Sequence, residues 1–307
     1  MNFADRLIQS IQRNKSFIVA GFDPQLETFP RFILEEAAAK TANSEDAVFQ
    51  ALLRFHAIAI EALSGVVSAV KPNIAFFEQY GISGLLAFSH ICKMLKEREV
   101  PIIADVKRGD IGSTAKAYSA AYLGRAAVFG KPTAMFDVDA ITVNPFLGFD
   151  TVETYFDDCK EYGKGIFVLV KTSNPGSATL QGIQSNSGKT ISESVAQWLG
   201  EKAEQFVGTS GYSSLGAVVG ATYPDEARAL RKIMPKNFLL IPGMGAQGGS
   251  AQDAVAGFST QKSGALINIS RGLLGSIPAT ITDSPALGLL IRNRALEFNA
   301  QVAAALA

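Results

Sequence analysis

The segment Asp105-Val106-Lys107-Arg108-Gly109-Asp110 places two carboxylates and a primary amine at the end of an apolar run. On an extended strand positions 105 and 107 share a face, so Asp105 and Lys107 point the same way. Asp110 falls in the turn that opens the next helix, where a helix N-terminus favours a carboxylate. A salt bridge plus a helix cap is the plain explanation. The chemical one is a proton-handling centre, because a lysine between acids keeps its charge and can deliver a proton. Schiff-base chemistry needs the reverse, a neutral amine in an apolar or cationic setting.

A second candidate is Ile241-Pro242-Gly243-Met244-Gly245-Ala246-Gln247-Gly248-Gly249-Ser250. Glycines such as Gly243 and Gly248 allow an anion close to the backbone, and amides opening the next helix can bind phosphate. The segment contains G-x-G-x-x-G, but the dinucleotide reading needs an early βαβ unit and an acid about 20 residues on. The run Ser259 to Ile269 supplies no acid. Arg271, just after the last apolar run, is a bidentate partner for a phosphate at this loop. A lid without a ligand is the alternative. Lys171-Thr172-Ser173-Asn174-Pro175-Gly176 opens a polar stretch to about Gly188, either a lid or a disordered insertion.

The two histidines, His56 and His90, lie on separate amphipathic segments and read as packing or surface residues. Without a histidine near the candidate site, a Ser-His-Asp mechanism has no base. Without a Cys/His cluster, a structural zinc is not expected. Catalysis must then use Lys and Asp. Met244 and Trp198 read as packing or loop residues.

These side chains need a scaffold. Apolar runs at Phe17 to Gly21, Val66 to Val70, Ile102 to Val106, Ala140 to Val143, Ile166 to Val170, Leu215 to Gly220, Phe238 to Ile241 and Ala265 to Ile269 lack polar alternation. They read as strands buried on both faces of a parallel sheet. Helical segments lie between them, for example Ser44 to Leu63, Gly84 to Lys96, Ser192 to Phe206 and Pro224 to Met234. Eight such alternations close most economically as an α/β (β/α)8 TIM barrel, with an open doubly wound sheet as competitor. The expected organisation is one barrel domain over 1–307, with an N-terminal helix and a C-terminal helical extension. Asp23, Lys71, Asp105, Lys107, Asn144, Lys171, Thr222 and Arg271 follow the runs, so a barrel is expected to gather them at one mouth.

The 307 residues carry 28 Lys+Arg and 28 Asp+Glu, which leaves no basic surplus for nucleic acid. Cys92 and Cys159 are the only cysteines, consistent with a reducing compartment. No run is long and apolar enough for a membrane span, and the start lacks a signal-peptide core. A cytoplasmic enzyme is expected.

With these segments in view, the sequence resembles the orotidine 5′-phosphate decarboxylases of the longer bacterial type (type 2). The resemblance rests on Gly21-Phe22-Asp23-Pro24, Val70-Lys71-Pro72-Asn73, Asp105 through Thr114, Val143-Asn144-Pro145-Phe146, Thr172 through Gly176, Val219-Gly220-Ala221-Thr222, Pro242 through Gly249 and Ser270-Arg271-Gly272. It implies cofactor-independent and metal-independent conversion of orotidine 5′-phosphate to UMP and carbon dioxide. It further implies that Asp23 and Lys71 bind ribose hydroxyls, that Asp105 lies beside the substrate carboxylate, that Lys107 donates the replacing proton, and that Lys71 and Asp110 join these two in a catalytic Lys-Asp-Lys-Asp array. Ser173 and Pro242 would flank the pyrimidine, Gln247 would bridge pyrimidine and phosphate, and Arg271 with the glycine amides would hold the phosphate. Asp110, Ile111 and Thr114 would reach across a homodimer interface. The nearest rival is a related metal-dependent barrel acting on sugar phosphates; another is a catalytically silent nucleotide-binding barrel. Residue chemistry without the resemblance stops at a phosphate-binding barrel enzyme with a Lys/Asp centre.

Overall fold

All eight apolar runs form strands, and the intervals between them fold mainly as helices. The computed structural model describes residues 1–244 and 249–307. The strands are β1 (Ile18–Phe22), β2 (Ala69–Pro72), β3 (Ile103–Arg108), β4 (Ala140–Val143), β5 (Gly165–Lys171), β6 (Ser213–Val219), β7 (Asn237–Pro242) and β8 (Ala265–Ile269). They pair in parallel in the order β2-β1-β8-β7-β6-β5-β4-β3. The remaining seam closes through single bridges, Val70 with Ile102 and Asn73 with Asp105. The result is a (β/α)8 barrel.

Burial on both faces explains why the runs lack alternation. Val19, Ile103, Phe167, Leu240 and Leu266 pack inside the barrel. Their neighbours Ile18, Ala104, Ile166, Ile241 and Ile267 pack outward in the larger core. Helix Phe3–Asn14 closes the floor by adding Phe3, Leu7 and Ile11 to the inner cluster. The Ser10 hydroxyl donates to the Ser68 carbonyl at 2.7 Å, and the Asn14 amide donates to the Val67 carbonyl at 2.7 Å. The C-terminal helix Ser284–Leu306 packs on helix Ser44–Leu63. Its Asn299 accepts from Ser16 at 2.7 Å and donates to the Val66 carbonyl at 2.8 Å.

Several local expectations shift. Val66 and Val67 precede β2 in a turn, where Val66 N–H bonds the Leu63 carbonyl. An antiparallel hairpin, Ala126–Val128 with Lys131–Thr133, was not expected between β3 and β4; its strands are short and largely exposed. The polar stretch after β5 is folded: a 3-10 turn Pro175–Ser177, helix Ala178–Gln181 and a bridge from Gln184 to Thr190. Thr190 and Glu193 then form a reciprocal cap on helix Ile191–Ala203. No helix among the described residues is long and apolar enough to cross a membrane.

Candidate active site

The carboxyl ends of the strands surround a cavity of about 460 Å³ with Leu169, Val218 and Leu240 among its apolar lining. Two lysines and one aspartate form its charged centre. Asp105 accepts from Lys71 Nζ at 2.6 Å through one oxygen and from Lys107 Nζ at 2.6 Å through the other. The Thr142 hydroxyl adds a third donor at 2.9 Å. Lys71 and Asp105 are buried, whereas the Lys107 side chain is 50% exposed and open to the cavity.

Simple strand alternation does not explain Lys107. Its φ is +43°, left-handed backbone that costs a side-chain-bearing residue about 1–2 kcal/mol. The β3–β4 register shifts between Ala104 and Arg108. Thr142 Oγ1 accepts the N–H groups of Val106 at 3.0 Å and Lys107 at 2.9 Å, holding this irregular turn of chain. Asp105 and Lys107 therefore meet through a kink braced by the neighbouring strand.

Burial opposes charge on Asp105, but Lys71 and then Lys107 outweigh it and hold the carboxyl well below its usual range. Burial likewise opposes charge on Lys71, yet Asp105 and then Asp23 leave the amine above its usual value. The signs are complementary. Asp105 contributes stability above the ordinary carboxylate range and loses it as pH falls through its folded value. Lys71 contributes below the ordinary lysine value and loses its part as pH rises through its own.

Asp23 and Arg271 line the same cavity, as do Ser173, Pro242 and Gly243. Asp23 Oδ1 is buried with no hydrogen-bond partner among the described residues. Asn268 Oδ1 is in the same condition, and Asn268 Nδ2 donates to Ser270 at 3.4 Å. Gly21 makes room for this pair, because a Cβ there would lie 1.9 Å from Ser270 Oγ. Gln247 and Gly248 lie outside the described residues.

Asp110, Ile111 and Thr114 stand apart from the cavity lining of their own chain. Ile111 caps helix Gly112–Tyr122 and is 64% exposed; its N–H donates to Asp110 Oδ1 at 2.8 Å. Three strand-end residues also fail to gather at the cavity. Asn144 Oδ1 accepts the Phe146 N–H at 3.1 Å, and Thr222 donates to the Ser173 carbonyl at 3.3 Å. Lys171 pairs with Glu226 at 2.8 Å. Strand ends bring residues near the mouth, but local register decides which side chains enter it.

Sequence reading missed Asn73, Thr142, Asn174, Asn268 and Ser270 as lining residues, and Met244 also joins them. The signal for Asn268 was a polar residue inside Ile267-Asn268-Ile269. Thr142 gave none, being a β-branched residue in an apolar run. His56 is fully buried with its ring near Phe22, Phe55 and Phe77 and donates from Nδ1 to the Leu52 carbonyl at 2.7 Å. Burial pushes its pKa down to about 4, so it stays neutral as packing. Trp198 stacks on Phe149 at 4.5 Å. Among the described residues no group of three or more His, Cys, Asp or Glu could hold a metal ion.

Residues 49–279 match the model of the orotidine 5′-phosphate decarboxylase / HUMPS family. An orotidine 5′-phosphate decarboxylase of Caldicellulosiruptor bescii is 40% identical over 274 residues, covering 89% of this chain and 90% of its own. One from Rhodopirellula baltica is 43% identical over 274 residues, covering 89% and 88%. The solved structure of Leishmania donovani OMP decarboxylase has a TM-score of 0.70 at 31% identity, covering 100% of this chain and 99% of that one.

Proposed function

The chain belongs to the orotidine 5′-phosphate decarboxylase / HUMPS family, and we propose that it converts orotidine 5′-phosphate to uridine 5′-phosphate and carbon dioxide in the cytoplasm, with Lys107 as proton donor and no cofactor. The observation that carries the reading is the Lys71–Asp105–Lys107 array opening onto a nucleotide-sized cavity.

Loss of carbon dioxide breaks the bond from ring to carboxylate and leaves its electron pair on the ring carbon. That carbanion has little delocalisation, so a fixed positive charge must stand where the pair develops. The Lys107 ammonium is fixed by Asp105 and open to the cavity, and it carries the proton that replaces carbon dioxide. Asp105 is itself held by Lys71 and Thr142, so the donor's orientation is set before substrate arrives. Asp105 beside the substrate carboxylate also brings like charges together before the bond breaks.

Asp23 and Lys71 bind the ribose in this reading; the unpartnered Asp23 oxygen suits a sugar hydroxyl donor. Ser173 and Pro242 flank the pyrimidine. Arg271 and the Gly243 amide hold the phosphate, with Gln247 and Gly248 assigned to the same group from the sequence alone. Binding at that remote phosphate supplies energy for ordering the reacting end. A second copy of the chain supplies Asp110, with Ile111 and Thr114 at the shared face. The exposure of Ile111 supports this, as does the place of Asp110 outside the lining of its own chain's Lys107 cavity.

The test is loss of orotidine 5′-phosphate absorbance with and without excess chelator, beside Lys107→Ala. Removing one preorganised donor should cost at least about 10²–10³-fold in kcat, and chelator should change nothing. Near-normal turnover by the variant would refute the role of Lys107. Chelator sensitivity, or activity only on sugar phosphates with magnesium, would favour the metal-dependent barrel chemistry instead.

A further inference from the structure

Lys171 is the buried cation near the mouth that this chemistry does not use. Its side chain is 4% exposed, yet it lies outside the cavity lining. Alternation from Leu169, which lines the cavity, would carry Lys171 inward as well. The β5–β6 register shifts between these two residues, and the lysine leaves the barrel interior. Its Nζ meets Glu226 at 2.8 Å and stands 4.6 Å from the centre of the Tyr223 ring. Glu226 belongs to the first turn of helix Pro224–Ile233, which follows β6.

Other contacts lock the same two strand ends. The Gly220 N–H donates to the Lys171 carbonyl at 2.8 Å, and Thr222 donates to the Ser173 carbonyl at 3.3 Å. A Cβ on Gly220 would lie 2.8 Å from the Ser173 Cα, so the backbones are in direct contact there. Ser173 is two residues beyond Lys171 and lines the cavity. A pair buried at its lysine and half-exposed at its glutamate is a weak source of net stability, and the best-attested use of such buried charge is to fix one arrangement over others.

We propose that Lys171 is a positioning residue: its bond to Glu226 sets the Thr172–Asn174 segment against the β6 end, so that Ser173 meets the pyrimidine ring. The inference rests on the decarboxylase reading for the identity of that ring, but its test reads binding as well as turnover. A misplaced contact group should weaken ligands that carry the ring and spare those that carry only sugar and phosphate.

The experiment measures calorimetric affinity for UMP and for ribose 5-phosphate, with kcat and KM, in Lys171→Met, Ser173→Ala and the double variant. Lys171→Met is expected to weaken UMP about tenfold and ribose 5-phosphate less than about twofold, with KM rising more than kcat falls. Adding Ser173→Ala to Lys171→Met should then cost little more, since both remove one contact. Lys171→Arg should restore most of the UMP affinity. Equal weakening of both ligands, or full additivity with Ser173→Ala, would overturn the proposal. Glu226→Gln, on the half-exposed side of the pair, gives the same readout should Lys171→Met not fold. If the unaltered protein binds ribose 5-phosphate but neither binds UMP nor turns over orotidine 5′-phosphate, the functional reading fails and not the role of Lys171 alone.

Discussion

At the floor of the barrel Asp5 accepts the N–H groups of Thr209 at 3.2 Å and Ser210 at 2.8 Å. Asp139 accepts from Arg6 at 3.0 Å and from the Ile102 N–H at 2.9 Å. Asp137 gathers Lys96, Arg125 and Lys164. At the mouth, Asp105 is equally well served, but Asp23 Oδ1 and Asn268 Oδ1 have no partner among the described residues. Lys107, with its strained backbone, opens half its side chain to the cavity. The same eight strands thus end in two kinds of charge. Floor carboxylates are answered by their own chain and tie helix Phe3–Asn14 and the loops together. Mouth groups are held rigid yet keep bonding capacity in reserve, as expected where a ligand completes the set.

The comparison is sharpened most by mixing two inactive proteins. Asp110→Asn and Lys107→Ala should each lose most turnover. After subunit exchange, half the dimers would be hybrids with one intact site, so activity should return to about a quarter of the unaltered level. No return after verified exchange would place Asp110 outside the partner's site. Next in size is Arg271→Ala, which removes a charge-assisted bidentate grip. A loss of about 10²-fold in kcat/KM is expected, while the denaturation midpoint barely moves.

Asp5→Ala should do the opposite. Bonds to Thr209 and Ser210 outweigh the burial that opposes charge on Asp5 and hold its carboxyl below the usual value. Losing them should cost about 2 kcal/mol in a urea titration and leave kcat unchanged. The same contribution should fade in acid, as pH drops through the lowered folded value. A drop in kcat with intact stability would erase the contrast between the two ends. The smallest effect concerns backbone strain. Lys107→Gly should be more stable than Lys107→Ala by about 0.5–1 kcal/mol, because glycine adopts positive φ freely, partly offset by its larger unfolded-state entropy. Equal stability would mean that the kink at Lys107 stores no strain.

Much of this architecture is legible in the amino-acid sequence. Eight apolar runs without alternation imposed strands buried on both faces, and the helical periods between them imposed parallel crossovers. A barrel is the most economical closure of that pattern, but the open doubly wound sheet remained its competitor until the bridges between β2 and β3 closed the seam. The strings around Asp105, Ser173, Pro242 and Arg271 marked mouth residues because polar groups ending buried strands need a reason to be there. Two register shifts limit period-2 reasoning: near Lys107 it rightly put Asp105 and Lys107 in one cavity, though a kink and not alternation brings them together, and at Lys171 it failed. In the first, Thr142 of a neighbouring strand holds a left-handed residue that no local propensity favours. In the second, Glu226 draws a lysine away from the cavity that alternation would have placed it in. The orphaned Asn268 oxygen and the clearance at Gly21 were also decided in three dimensions. The sequence by itself determined which elements form and which residue types stand at their ends. Tertiary structure alone decided which of those side chains face one another, because direction at a strand end depends on hydrogen bonds and ion pairs to segments distant along the chain.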